Sequence, residues 1–112
     1  MHPESGRAET IWATERAIEL RHLRYFVSVA EHLHFGQAAL ALHIAQPPLS
    51  RQIQDLEYHL GVILFDRTTR GVSLTSHGRL LLAESRCILA EISASLHRVR
   101  RAGHSSHSQS FD

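Results

Sequence analysis

Lysine is absent from this sequence, and cysteine occurs once, at Cys87. A single thiol excludes an intramolecular disulfide framework and any multi-cysteine zinc site, and it fits a reducing, cytoplasmic setting. Long apolar runs are also missing. Aliphatic stretches such as Leu80-Leu81-Leu82-Ala83 and Ala38–Leu42 fall far short of the roughly 18 residues that a membrane span needs, so no membrane partner is expected. The opening residues Met1–Thr10 are polar and carry both charge signs, which excludes a secretory signal. What remains is 112 residues with 43% hydrophobic and 21% charged side chains, enough for one small soluble globular domain.

Net charge is low as well, at +1, but its distribution matters more than its sum. Residues 1–19 carry a net of −2, whereas residues 20–101 hold ten arginines against six carboxylates. All twelve basic residues are arginine. The planar guanidinium fork suits phosphate and guanine edges, although a GC-rich coding bias is the simpler source of the total.

Residues 1–17 contain Pro3 and Gly6 and show no sustained period, which predicts a mobile extension. Leu20, Leu23, Phe26, Val27, Ala30 and Leu33 then recur at three-to-four spacing, an amphipathic helix ending near His34. After Gly36, a short second helix is marked by Ala38, Ala39 and Leu42. The tight connection His43-Ile44-Ala45 leads to Pro47-Pro48, a pair tolerated where helix amides have no partner anyway. A third helix follows with Leu49, Ile53, Leu56 and Leu60 inward, closed by Gly61 in a left-handed cap.

The period then changes. Val62–Phe65 is a short apolar run, Asp66–Gly71 carries turn chemistry, and Val72–Thr75 alternates: a two-stranded hairpin. Ser76–Arg101 contains no proline and one glycine, Gly78. Its seam of Leu82, Leu89, Ile92, Leu96 and Val99, with Ser85 as the polar member, predicts a helix roughly 39 Å long. So long a stripe implies a partner helix, most economically from a second copy of the chain. Residues 103–112, rich in serine and histidine, predict a disordered tail.

Two short helices joined by a tight turn and followed by a hairpin outline a winged helix-turn-helix: mainly α, three helices plus a two-stranded wing, then a long linker helix. The expected domains are 18–75 for the winged unit and 76–102 for the linker and dimerisation helix. Burying the leucine and isoleucine face of the third helix, about 46–60, leaves Gln46, Pro47, Ser50, Arg51 and Gln54 outside. Arg51 suits guanine or phosphate, Gln46 and Gln54 suit adenine, and Pro47 and Pro48 suit a thymine methyl. Arg67 and Arg70, at the hairpin tip, suit phosphate or the minor groove.

The stretches Glu19–Phe26, Ala38-Ala39, Ala45–Ile53, Leu56-Glu57, Leu60-Gly61, Leu64-Phe65 with Arg67, and Leu74-Thr75 with Gly78 closely resemble the DNA-binding domain of LysR-type bacterial transcriptional regulators. The resemblance covers about residues 18–101. It implies a linker helix paired in an antiparallel homodimer and binding to interrupted inverted repeats in promoter DNA. Carried over by position, its DNA contacts fall on Gln46, Pro47, Pro48, Ser50 and Arg51 and on Arg67 and Arg70, with Gln52 assisting at the backbone. Three departures stand out. Residues 1–17 precede the family's usual start. Gly36 and Ala45 replace capping Ser or Thr, and the alanine lacks a cap worth about 1 kcal/mol. The family's effector-binding part does not follow, so no small-molecule effector is expected for this chain.

Ten histidines raise a metal question, but His32 and His34 cannot share a helix face, and His104 and His107 lie in the tail. Neither a metal nor a cofactor is expected. His22, His43 and His59 are expected to face solvent or phosphate, and Cys87 to be a small, half-buried residue. Arg98, Arg100 and Arg101 read as a solvated helix end favoured by the dipole. Ser50 has no base and orienter around it, so an enzyme is not expected. The leading expectation is a sequence-specific, DNA-binding transcriptional regulator domain. The rival is a truncated dimerisation module, dominant-negative toward longer relatives and weak on DNA by itself.

Overall fold

Residues 17–110 are described by a computed structural model. Helix α1 spans Leu20–His32, α2 Phe35–Leu42 and α3 Gln46–Leu60. Strands β1, Phe65–Thr68, and β2, Gly71–Leu74, form the antiparallel wing, and α4 runs over Ser76–Ser110. The expected extension over 1–17 lies, apart from Ala17, outside the described residues.

The core gathers where the apolar faces of α1, α2 and α3 converge. Phe26, Val29, Leu49, Ile53, Leu56 and Leu64 are all essentially inaccessible. The few aromatics cluster: Phe65 lies 5.4 Å from Phe26 and 5.9 Å from Phe35, tilted and edge-on respectively, the geometries the ring quadrupoles favour. Leu60, expected inside, is 36% exposed. It belongs to the last turn of α3, which overhangs the core beside a shallow groove lined by Val62, Leu64, Leu80 and Leu81.

Local chemistry sets the helix ends. α1 and α2 both stop at non-glycine residues in the left-handed conformation, Leu33 (φ 49°) and His43 (φ 59°). Their amides bond back, Leu33 N to Val29 O at 2.7 Å and His43 N to Leu40 O at 3.1 Å, which offsets the backbone strain. Gly36 is not a cap. His34 holds that position, its Nδ1 accepting from Gln37 N at 3.0 Å. His22, expected in solvent, is half-buried and accepts from Glu19 N at 2.9 Å. Ala45 contributes no side-chain cap, and Pro47 and Pro48 occupy the first turn of α3.

The wing begins three residues later than the apolar pattern indicates. Phe65 pairs with Leu74 and Thr68 with Gly71, leaving Thr69 and Arg70 as a two-residue turn. Val62–Leu64 is a connection instead of a strand, because its amides are claimed elsewhere: the Glu57 carboxylate accepts from Leu64 N at 2.7 Å, and the Glu57 backbone carbonyl accepts from Val62 N at 3.3 Å. Across the join, Thr75 donates its hydroxyl to Ile63 O at 2.6 Å and accepts from Gly78 N at 3.0 Å. Its amide donates to Leu64 O at 3.0 Å. Hairpin, connection and α4 are thereby stitched at one point.

α4 does not stop at residue 102. It continues to Ser110, since a helix already nucleated crosses one glycine for about 1 kcal/mol and no proline follows. At ~1.5 Å per residue it is roughly 52 Å long. Its early turns pack on α1, joined there by Arg86 to Glu31 at 3.2 Å. Ser85 is fully buried, and its Oγ has no hydrogen-bond partner among the described residues. Cys87 is exposed and not half-buried: two positions on from Ser85, it faces nearly the opposite way.

Candidate nucleic-acid interface

On α3, Leu49, Ile53 and Leu56 are buried, so the helical period turns another row outward. That row is Pro47, Arg51, Gln54 and Tyr58, at spacings of four, three and four, all exposed. Gln46 and Pro48 are exposed beside it, and Ser50 is half-buried. These residues form one surface at the start of α3. Gln52 stands apart. It is half-buried on the side toward α1, in a cleft with Arg21, His22 and Asp55.

Tyr58 was not anticipated, yet it is 82% exposed and extends the outward row by one turn. Continuing the spacing from Arg51 and Gln54 would have found it. It lies over Gly61 and Ile63 in an open, mostly apolar hollow.

The two wing arginines separate. Arg70 sits in the turn, where its amide donates to Thr68 Oγ1 at 3.2 Å. Arg67 is a strand residue opposite Val72 and not part of the tip, and its guanidinium lies 4.3 Å from the centre of the Phe35 ring. The start of α2 is also near the start of α3: a Cβ on Gly36 would stand 3.7 Å from Gln46 Oε1. Among the described residues no carboxylate pairs with Arg51, Arg67 or Arg70, in contrast to Arg21, Arg86 and Arg98. The surface therefore offers uncommitted cations beside amide-bearing side chains, the combination suited to phosphates and base edges.

The seam on α4 is not one open stripe. Leu82 packs against the chain's own core. Leu89 and Ile92 line a groove with Leu20 and Arg24, because the first turns of α4 lie along α1. Leu96 and Val99 remain open, at 52% and 69% exposed. Among the described residues no three metal-ligating side chains converge, and no helix is long and apolar enough to cross a membrane.

Three helices, a hairpin wing and a long following helix define a winged helix-turn-helix DNA-binding domain. The family described as bacterial regulatory helix-turn-helix protein, lysR family, matches residues 20–79, and this chain belongs to that family, one of transcriptional regulators and not of enzymes. It is 57% identical over 84 residues to the uncharacterized HTH-type transcriptional regulator YnfL of Escherichia coli strain K12, covering 75% of this chain and 28% of that protein. To the HTH-type transcriptional regulator TfdT of Cupriavidus pinatubonensis strain JMP 134 it is 51% identical over 85 residues, covering 76% of this chain and 37% of TfdT. The chain thus spans about a third of the length of these relatives. Among solved structures, the BenM DNA-binding domain in complex with catB site 1 DNA matches with a TM-score of 0.74 at 44% identity, over 77% of this chain and 97% of that one. The CbnR DNA-binding domain–DNA complex matches with a TM-score of 0.73 at 44% identity, over 77% and 99%.

Proposed function

We propose that this chain reads promoter DNA in the bacterial cytoplasm as a homodimer, with α3 in the major groove of each half of an inverted repeat. Gln46, Pro47, Pro48, Ser50, Arg51 and Gln54 supply the groove-facing surface. Gln52 assists at its margin, and Arg67 and Arg70 neutralise phosphates or enter the minor groove. The observation that carries this reading is the exposed row Pro47–Arg51–Gln54, directly behind the buried row Leu49–Ile53–Leu56. A rigid core backs a polar face whose arginine has no competing carboxylate among the described residues. The DNA complexes reported for BenM and CbnR domains support it by similarity.

Dimerisation follows from α4. Leu96 and Val99 are large apolar side chains left mostly open, and Leu96 lines a half-filled groove between α1 and α4 together with Leu89 and Ile92. Fully burying an open side chain of this kind contributes about 1.5–3 kcal/mol and the half-buried ones less, so several across two chains can outweigh the entropy of association. Pairing also doubles the base pairs read, since one short helix spans few of them.

Selection of bound duplexes from a random-sequence pool, followed by titration across a salt series and sedimentation of the complex, tests both halves. The expected result is a sequence with two-fold symmetry, bound by two chains and preferred over scrambled duplex by about a thousandfold or more. Equal affinity for every duplex refutes sequence-specific reading. A single chain holding one half-site tightly refutes the dimer.

A further inference from the structure

Arg67 and Phe35 come from different parts of the fold, yet the cation of one lies over the ring of the other. Phe35 is the first residue of α2 and only 8% exposed. Its ring is held from inside by Phe65, edge-on at 5.9 Å. The guanidinium of Arg67 covers it from outside at 4.3 Å. Arg67 remains exposed and has no carboxylate partner among the described residues. A cation stacked on a ring keeps its edge N–H groups free. A ring anchored in the core holds them in one place, so less side-chain freedom is lost on meeting a ligand.

We propose that Phe35 is a positioning residue for DNA binding. Its ring fixes Arg67 as a phosphate clamp between the wing and the start of α2, and Arg70 in the two-residue turn is the adaptable arm. The inference rests on the DNA-binding reading above. Phosphate is the ligand favoured, because Arg67 is held on the wing against the first residue of α2 and does not belong to the outward row of α3, and backbone contacts are the ones that set register. The stack also distinguishes Arg67 from Arg70, three positions on in the turn.

The test uses the full chain and a mixed-sequence duplex, since a phosphate contact is indifferent to sequence. Affinity is measured over a salt series for the wild type, Phe35→Leu, Arg67→Ala and the double variant. Phe35→Leu is expected to weaken binding about two- to fivefold and to add nothing in the Arg67→Ala background, with Phe35→Tyr restoring the loss. Arg67→Lys keeps the charge, loses the planar face and leaves the core untouched; a similar two- to fivefold loss is expected. It decides the question even where Phe35→Leu fails to fold. In the free wild-type chain, the Arg67 δ-methylene protons are expected upfield, under the ring current of Phe35. Equal losses from Phe35→Leu in both backgrounds, wild-type affinity in Arg67→Lys, or unshifted Arg67 resonances would each overturn the proposal. A wild-type chain that ignores duplex at low salt overturns the DNA-binding reading itself, and the clamp with it.

Discussion

Replacing Gly78 with alanine is expected to be far costlier than any other single-methyl addition to α4. A Cβ at this position would stand 2.8 Å from Leu74 Cδ2 and closer still to the Leu64 carbonyl oxygen. The leucine side chain can rotate away. The carbonyl cannot, because it accepts from Thr75 N at 3.0 Å while Leu64 N is held by Glu57 at 2.7 Å. The connection and α4 must therefore separate. Overpacking of this kind costs about 1–3 kcal/mol, and more where backbone is the obstacle. Helix propensity returns at most about 1 kcal/mol. A net loss of about 2 kcal/mol lowers the melting temperature of a domain this size by roughly 8–16 °C. Gly103→Ala is the internal control: it lies in the same helix with nothing within 4 Å of the added atom, so a neutral or slightly raised melting point is expected. Thermal unfolding followed by circular dichroism compares the two directly. If both variants shift alike, the close approach at Gly78 is not what holds the junction.

Glu57→Ala strips the acceptor from Leu64 and Phe65 amides and is expected to cost about 1–3 kcal/mol; Glu57→Gln, which keeps an acceptor oxygen, should lose less in a urea melt. Ser85→Ala removes a buried hydroxyl without a partner among the described residues, so stability should rise by about 1 kcal/mol; a lower urea midpoint would mean that the hydroxyl is satisfied in solution. Arg51→Ala should weaken binding to the selected duplex by about 1–3 kcal/mol with no change in melting temperature, and equal loss on scrambled duplex would reduce Arg51 to a phosphate anchor. Leu96→Glu, at an exposed seam position, should sediment as a monomer that keeps its helices and loses specific binding.

The helices were legible because burial follows the three-to-four spacing: Phe26, Leu49, Ile53 and Leu56 stand where the pattern puts them. Gly61 at φ 72° closes α3 as its type and position imply. Legibility failed where a side chain substitutes for backbone pairing. Val62–Leu64 reads as strand by composition, but the acceptor for Leu64 is a carboxylate seven residues earlier on α3, and no local pattern announces it. His34 and His22 as caps were missed for a related reason, since an imidazole acceptor competes with more familiar hydroxyl and carboxylate caps. The seam on α4 was incomplete in meaning. Periodicity identifies an apolar stripe but cannot say which neighbour covers it, and α1 takes its early turns. The candidate interface was read from the outward row of α3, and the same period would have reached Tyr58 had it been followed to the end.

These contacts imply that the surface proposed to meet DNA and the helix proposed to pair with a second chain are one mechanical unit. Glu57 belongs to the last turns of α3, Thr75 caps α4, and the two meet at Leu64, one accepting from its amide and the other donating to its carbonyl. Gly78 lets α4 lie directly against that same carbonyl. On the far side, Arg86 and Glu31 tie α4 to α1 across the molecule, although an exposed pair of this kind is worth little alone. A change in the direction of α4 is therefore resisted by buried backbone contacts and not by a flexible link. In a dimer built on α4, the spacing between two copies of α3 would be set by this junction, so it would determine which half-site separation fits. The residues proposed to choose bases and those that would choose spacing are then distinct: the former lie on the outward row of α3, the latter around Leu64. Substitutions at Glu57, Thr75 or Gly78 should alter the preferred separation of half-sites before they alter the bases preferred within each one.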